Sequence, residues 1–474
     1  MKMSIKKALL GVLIVSAVAW MAGSAAGHGK GHLRVPTPKV IGPIPVNAPP
    51  GDPSHDYVFF TPDFDLADFG YVEEEFFIEG FANRYDTPTG GTGSVISSGY
   101  PYKTRIVVRR PVCRRDFNGV VLLEWQNVTA GYELDAHWGP SWDHFVRNGY
   151  AWVGVSAQKV GVHGSPVYVP NVALKAWSPI RYGTLDLTDD GTVMDDSLCY
   201  DVFSQAAQAI KRPRRIDPMD GLRVKLVLAV GASQSASRLS IYHNSIHPLH
   251  RVVDGFYLLV GGSGLRTDLD VKVFQYLSET DLRSGPGRRM ADSDNFRSWE
   301  VTGSGHSSYV SAVYRDPLAI RDFGAPVWPP DCDLPPYSRV RGYYVINAQY
   351  DYLVRWVKYH KAPPTAPKIE FASESPPVIA RDELGIALGG IRLPEIEVPT
   401  ALNSGINSGA TFCVLYGTYQ PFDDDTLHEL YPSHGEYVRA IQASLKKNLS
   451  AGYILEEAAW EIVMEAIKAD IPPK

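Results

Sequence analysis

The sequence predicts an α/β fold: a mostly parallel sheet with helices on both faces, a β-rich N-terminal extension and C-terminal additions. Three observations lead there. Continuous apolar runs, such as residues 119–125 (GVVLLEW) and 224–230 (VKLVLAV), read as strands buried on both faces. Segments with helical spacing of apolar residues, such as 200–210, fall between them. A β-rich stretch with a Gly-rich turn precedes both.

Residues 1–26 have the pattern of a secretory signal. Lys2, Lys6 and Lys7 precede an apolar run over 8–21, and Ala22, Gly23, Ser24, Ala25 and Ala26 follow. The run is short for a membrane span, which needs about 20 residues. The expectation is an exported protein, periplasmic or extracellular, with no stable membrane span after cleavage. The segment holds three Lys and no acid, so its removal takes the formal charge from −6 to −9. That charge, without a long basic run, excludes a nucleic-acid footprint. Oligomeric state is not legible.

Residues 27–54, rich in Pro and Gly, read as an extended leader. Residues 55–474 read as one catalytic domain, with additions from about 310. Within it, 74–82 and 103–110 are β-formers flanking the turn at 89–93. The buried-type strands are 119–125, 150–155, 224–230, 255–260 and 271–277. Later, 353–359 reads as a surface helix, 362–400 as Pro-rich with short β pieces, and 436–446 and 455–469 as helices. Segments 160–200 and beyond 310 lie where lids insert. Cys113, Cys199, Cys332 and Cys413 allow three pairings, and none lies in a CxxC.

The chemistry centres on Gly231-Ala232-Ser233-Gln234-Ser235, between the strand VKLVLAV and a helix opening at Ala236. A strand turning sharply into a helix is what a nucleophile elbow requires. It lifts the serine hydroxyl above the sheet edge, and small residues two before and two after let strand and helix approach. Ser233 is the candidate nucleophile, with Ser235 and Ser237 as rivals. An α/β-hydrolase triad runs Ser, acid, His along the chain. The acid follows strand 271–277 in Ser278-Glu279-Thr280-Asp281. Asp281 is the choice and Glu279 the alternative, since residues two apart share a strand face. His306, on the Gly-rich loop after Trp299-Glu300-Val301, is the candidate base. An oxyanion hole needs two backbone N–H groups: Gln234 after the nucleophile, and Asn127 or Val128 at the end of GVVLLEW. Asn127-Val128-Thr129 is also a glycosylation sequon, which a buried loop would silence.

Together FNGVVLLEWQNVTAGYE, GYAWVGVSAQKVGV, YDVFSQAAQAI, GASQSASRL, SETDL, WEVTGSGH, RDELGIALGGIRLPEIEVP and LYPSHGEYV resemble the alpha/beta hydrolase domain family of exported bacterial proteins, over roughly residues 70–470. The resemblance implies an α/β-hydrolase fold and hydrolysis of carboxylic esters, and says little about the substrate, which is expected to be a small-molecule or polymeric ester. It carries the nucleophile onto Ser233, the acid onto the SETD segment and the base onto His306. No cofactor and no metal is expected: His428-Glu429-Leu430-Tyr431-Pro432 begins like HExxH but has Pro in the second His position, which spoils the helix. Rival readings are a lactonase or acyltransferase using the same triad, and a non-catalytic binding protein on the same fold.

Overall fold

A computed structural model describes residues 32–168, 170–327 and 331–473. The expected signal segment lies outside them. In chain order the main elements are β1 (Lys39–Ile41), β2 (Tyr71–Tyr85), β3 (Val95–Pro111), β4 (Val120–Trp125), α1 (Trp138–Arg147), β5 (Ala151–Val155), α2 (Cys199–Lys211), β6 (Leu226–Ala232), α3 (Gln234–Ile241), β7 (Gly255–Leu259), β8 (Lys272–Ser278), β9 (Phe296–Val301), α4 (Tyr309–Phe323), α5 (Tyr343–Tyr359), α6 (His434–Ala451) and α7 (Glu456–Lys468).

The nine strands form one sheet in the order β1-β2-β3-β5-β4-β6-β7-β8-β9. From β5 to β9 every pairing is parallel; β1, β2 and β3 add antiparallel on one side. The apolar runs become the central strands because every side chain of β4, β5 and β7 is buried. Strand alternation directs neighbours to opposite faces. Phe256 packs on Tyr242 and His243 beyond α3, while Tyr257 meets Tyr350 of α5. Helices therefore cover both faces, as the alternating pattern predicts.

Two local expectations change, and one feature was not foreseen. Residues 39–41, within the expected leader, pair with Phe77–Glu79 as the edge strand, and Val35 and Val40 are buried. The helix expected over 353–359 is the end of the longer α5, with Leu353 and Trp356 inside rather than at the surface. β3 carries arginines inward: Arg105 pairs with Glu75 and Glu133, and Arg109 with Glu73 and Asp135, all almost fully buried. The Arg109 guanidinium also lies over Trp138 and Trp152, 4.7 and 4.6 Å from their ring centres. Cys332 and Cys413 form a disulfide, while Cys113 and Cys199 are free. Among the described residues no helix is long and apolar enough to cross a membrane.

Candidate active site

Three strand ends converge on one edge of the sheet. β6 delivers Ser233, β8 delivers Asp281 through a 3-10 turn (Thr280–Leu282), and β9 delivers His306 five residues beyond Val301.

Ser233 sits at the junction of β6 and α3 with φ 57° and ψ −114°, a left-handed conformation that strains a residue with a Cβ. Its N–H donates to Leu259 O (2.9 Å), locking the turn to β7. Two glycines permit it. A Cβ on Gly231 would lie 2.9 Å from Leu239 Cδ1 and 3.0 Å from the Ser235 backbone, and one on Gly261 would lie 2.7 Å from Ser233 O. The rival serines are otherwise engaged. Ser235 is buried with its hydroxyl on Ala232 O (2.9 Å), and the exposed Ser237 donates back to Ser233 O (3.3 Å).

His306 Nδ1 lies 2.6 Å from Asp281 Oδ1. Asp281 Oδ2 accepts from the Ser278 hydroxyl (2.6 Å) and Ser278 N–H (2.8 Å). Burial disfavours the Asp281 carboxylate, but the His306 charge and the hydrogen bonds from His306 and Ser278 outweigh it and hold its pKa below the usual value. An ionised carboxylate only accepts, so Nδ1 carries a proton, and in the neutral ring Nε2 is left to accept. Glu279 does not meet His306. It is fully buried, paired with Arg381 (2.6 Å), and accepts from Gly303 N–H (2.8 Å) and the Ser404 hydroxyl (3.1 Å). It ties the histidine loop to the C-terminal additions.

The loop after β4 closes the site. Asn127 N–H is spent on Leu134 O (3.3 Å), and its side chain donates to Ala232 O (2.8 Å) at the elbow and accepts from Thr129 N–H (2.9 Å). Its side chain is thus buried in the sequon. Val128 N–H finds no protein acceptor among the described residues. Gln234 opens α3, where first-turn N–H groups lack helical acceptors. The Arg105–Glu133 and Arg109–Asp135 pairs anchor the far end of this loop.

Two cavities meet at Ser233 and His306. One, of about 160 Å³, is largely apolar, with Leu134, Val340, Ile346, Phe412, Leu415 and Tyr416 among its walls. The other is a polar cleft lined by Val128, Gln158, Gln234, Ser237, Arg238 and Arg288. The region beyond 310 supplies much of the apolar wall, and Val160, Tyr168 and Asp196 of the 160–200 segment line the polar side. Sequence reasoning missed Arg238, although it lies in the quoted elbow segment, and also Arg315 and the Phe412–Tyr416 wall, which have no motif around them.

Sheet order, elbow and strand-end loops together define an α/β-hydrolase fold. The chain belongs to the alpha/beta hydrolase domain family, whose sequence pattern matches residues 40–464. No curated protein matches the chain in sequence. Among solved structures it is similar to a Bacteroides fragilis NCTC 9343 protein provisionally named an acetyl xylan esterase, at 9% identity and TM-score 0.27. That likeness covers 52% of this chain and 65% of that one, so the chain spans just under two thirds of that protein's length. It is also similar to a glucuronoyl esterase from Teredinibacter turnerae T7901, at 9% identity and TM-score 0.26, over 57% of this chain and 68% of that one.

Proposed function

We propose that the protein is an exported serine esterase that cleaves carboxylic esters through an acyl-enzyme. Ser233 is the nucleophile, His306 the base, Asp281 the acid, and the N–H groups of Gln234 and Val128 the oxyanion hole. The observation that carries this reading is the 2.6 Å contact between His306 and Asp281, beside an elbow serine in the left-handed conformation.

In this mechanism His306 Nε2 takes the Ser233 proton as Oγ attacks the ester carbonyl. The carbonyl electrons move onto oxygen, where the two N–H groups stabilise the charge. Collapse breaks the ester C–O bond, and His306 returns the proton to the leaving alcohol. Water, deprotonated by His306, then attacks the acyl-enzyme, and Ser233 leaves with its proton restored. Asp281 holds the imidazole tautomer and stabilises the imidazolium.

The test is labelling of the purified protein with a fluorophosphonate, followed by peptide mapping. A single adduct on Ser233, lost in a folded Ser233→Ala variant along with hydrolysis of p-nitrophenyl esters, is expected. No adduct on folded protein would favour a non-catalytic binding protein, and an adduct on Ser235 or Ser237 would move the elbow.

A further inference from the structure

Among the described residues, Arg315 is the one Lys or Arg lining the apolar cavity beside Ser233, and it has no ion-pair partner; the carboxylate that also lines the cavity, Asp135, is paired with Arg109. α4 begins three residues after His306, and its second turn turns Arg315 into the cavity wall together with Ser307, Ser311 and Tyr416. Arg315 is half-buried. Its Nε donates to Ser311 O (3.0 Å) and its Nη2 to the Ser307 hydroxyl (3.3 Å). Its neighbour Asp316 is turned away, accepting from Val327 N–H (2.9 Å).

Three other arginines near the site are matched. Arg109 pairs with Asp135 and Glu73, Arg238 with Asp196, and Arg381 with Glu279. Arg315 has no carboxylate within 4.0 Å among the described residues, its bonds going to Ser311 O and the Ser307 hydroxyl, and the remaining residues contain no Asp or Glu side chain. The Arg288 guanidinium also lacks a carboxylate among the described residues, but it is exposed and solvated at the rim of the polar cleft. An unpaired charge against an apolar wall is costly. A guanidinium keeps a fork of donors suited to a carboxylate, and its charge-assisted bonds are strong where water is excluded.

Position selects which part of the substrate it meets. The oxyanion donors proposed above, Val128 and Gln234, and the exposed Ser237 and Arg288 border the polar cleft; in the esterase reading this open, polar side suits the departing alcohol. The apolar lobe is left for the acyl chain, which stays attached to Ser233 between the two steps. We infer that Arg315 grips a terminal carboxylate on that chain, so that the preferred substrates are hemi-esters of short dicarboxylic acids. This rests on the serine-esterase reading and adds its specificity.

The experiment compares p-nitrophenyl hemiglutarate with p-nitrophenyl pentanoate on the full chain at low salt, for wild type, Arg315→Gln and Arg315→Lys. Wild type is expected to favour the hemiglutarate in kcat/KM. Arg315→Gln lowers the hemiglutarate-to-pentanoate ratio about 10- to 100-fold, and Arg315→Lys lowers it less. A wild-type ratio near one, or a ratio unaltered in Arg315→Gln, overturns the inference. Calorimetry of glutarate binding to Ser233→Ala separates the two readings. Binding that disappears on adding Arg315→Gln, with no ester hydrolysed by wild type, retains the carboxylate site and removes the esterase. Hydrolysis of both esters without glutarate binding retains the esterase and removes the carboxylate site.

Discussion

Asp281 and Glu279 stand two positions apart and meet different partners, which makes them separable by mutation. Asp281→Asn removes the acceptor that fixes the His306 tautomer, so kcat is expected to fall about 10⁴-fold with little change in KM. Steady-state kinetics on a p-nitrophenyl ester checks it. Glu279→Gln instead leaves Arg381 without its carboxylate and weakens the bond to Gly303. A stability loss of about 1–3 kcal/mol is expected in urea unfolding, with a smaller fall in kcat. At this scale Ser233 and His306 were readable because strand, turn and small residues flank them in sequence. Asp281 is preferred there, with Glu279 kept as the alternative, because sequence does not show that the chain leaves β8 at Ser278 and tightens into a 3-10 turn, where strand alternation no longer equates residues two apart. Arg315 was invisible for another reason: a charged residue on an amphipathic helix normally reads as solvated.

Among elements, the loop after β4 depends on two arginines of the neighbouring β3. Arg109→Met would leave Asp135 and Glu73 buried without their cation, at a cost of about 3–5 kcal/mol. Because Asp135 shares a loop with Val128, kcat is expected to fall as well, even in the folded fraction; paired denaturation and single-turnover measurements test both. The central strands were legible as uninterrupted apolar runs. α5 was under-read because its first half buries polar groups that break the apolar spacing, notably Gln349, whose Oε1 accepts from the Tyr257 hydroxyl (2.6 Å). The inward arginines of β3 were hidden likewise, since charge in a strand reads as a solvent face until a partner carboxylate is in place.

For the whole molecule, burial sets the response to acid. Burial pushes His137 and His247 down to about 3, and His243 and His250 down to about 4, against about 6.5 in an unfolded chain. The folded protein keeps these rings neutral while the unfolded chain takes up protons. Their contribution is therefore complete above about pH 6.5 and is lost as pH falls toward about 4, by up to ~1.4 kcal/mol per pH unit for each ring. Asp281, with its pKa lowered, stays ionised through that window. Urea midpoints at pH 7.5, 6 and 5 should decline steadily, and His250→Gln should flatten the decline. The Cys332–Cys413 disulfide bears on the molecule differently. It closes a separation of 81 residues, and Cys413 opens the turn that places Leu415 and Tyr416 against the apolar cavity beside Ser233. Its loss should cost up to about 4 kcal/mol, while Ser233, Asp281 and His306 remain held by their own strands. A protein kept reduced would thus be a less discriminating version of the oxidised one. On the proposed esterase reading, maturation chemistry, rather than any residue change, would decide how narrowly it selects the acids it releases.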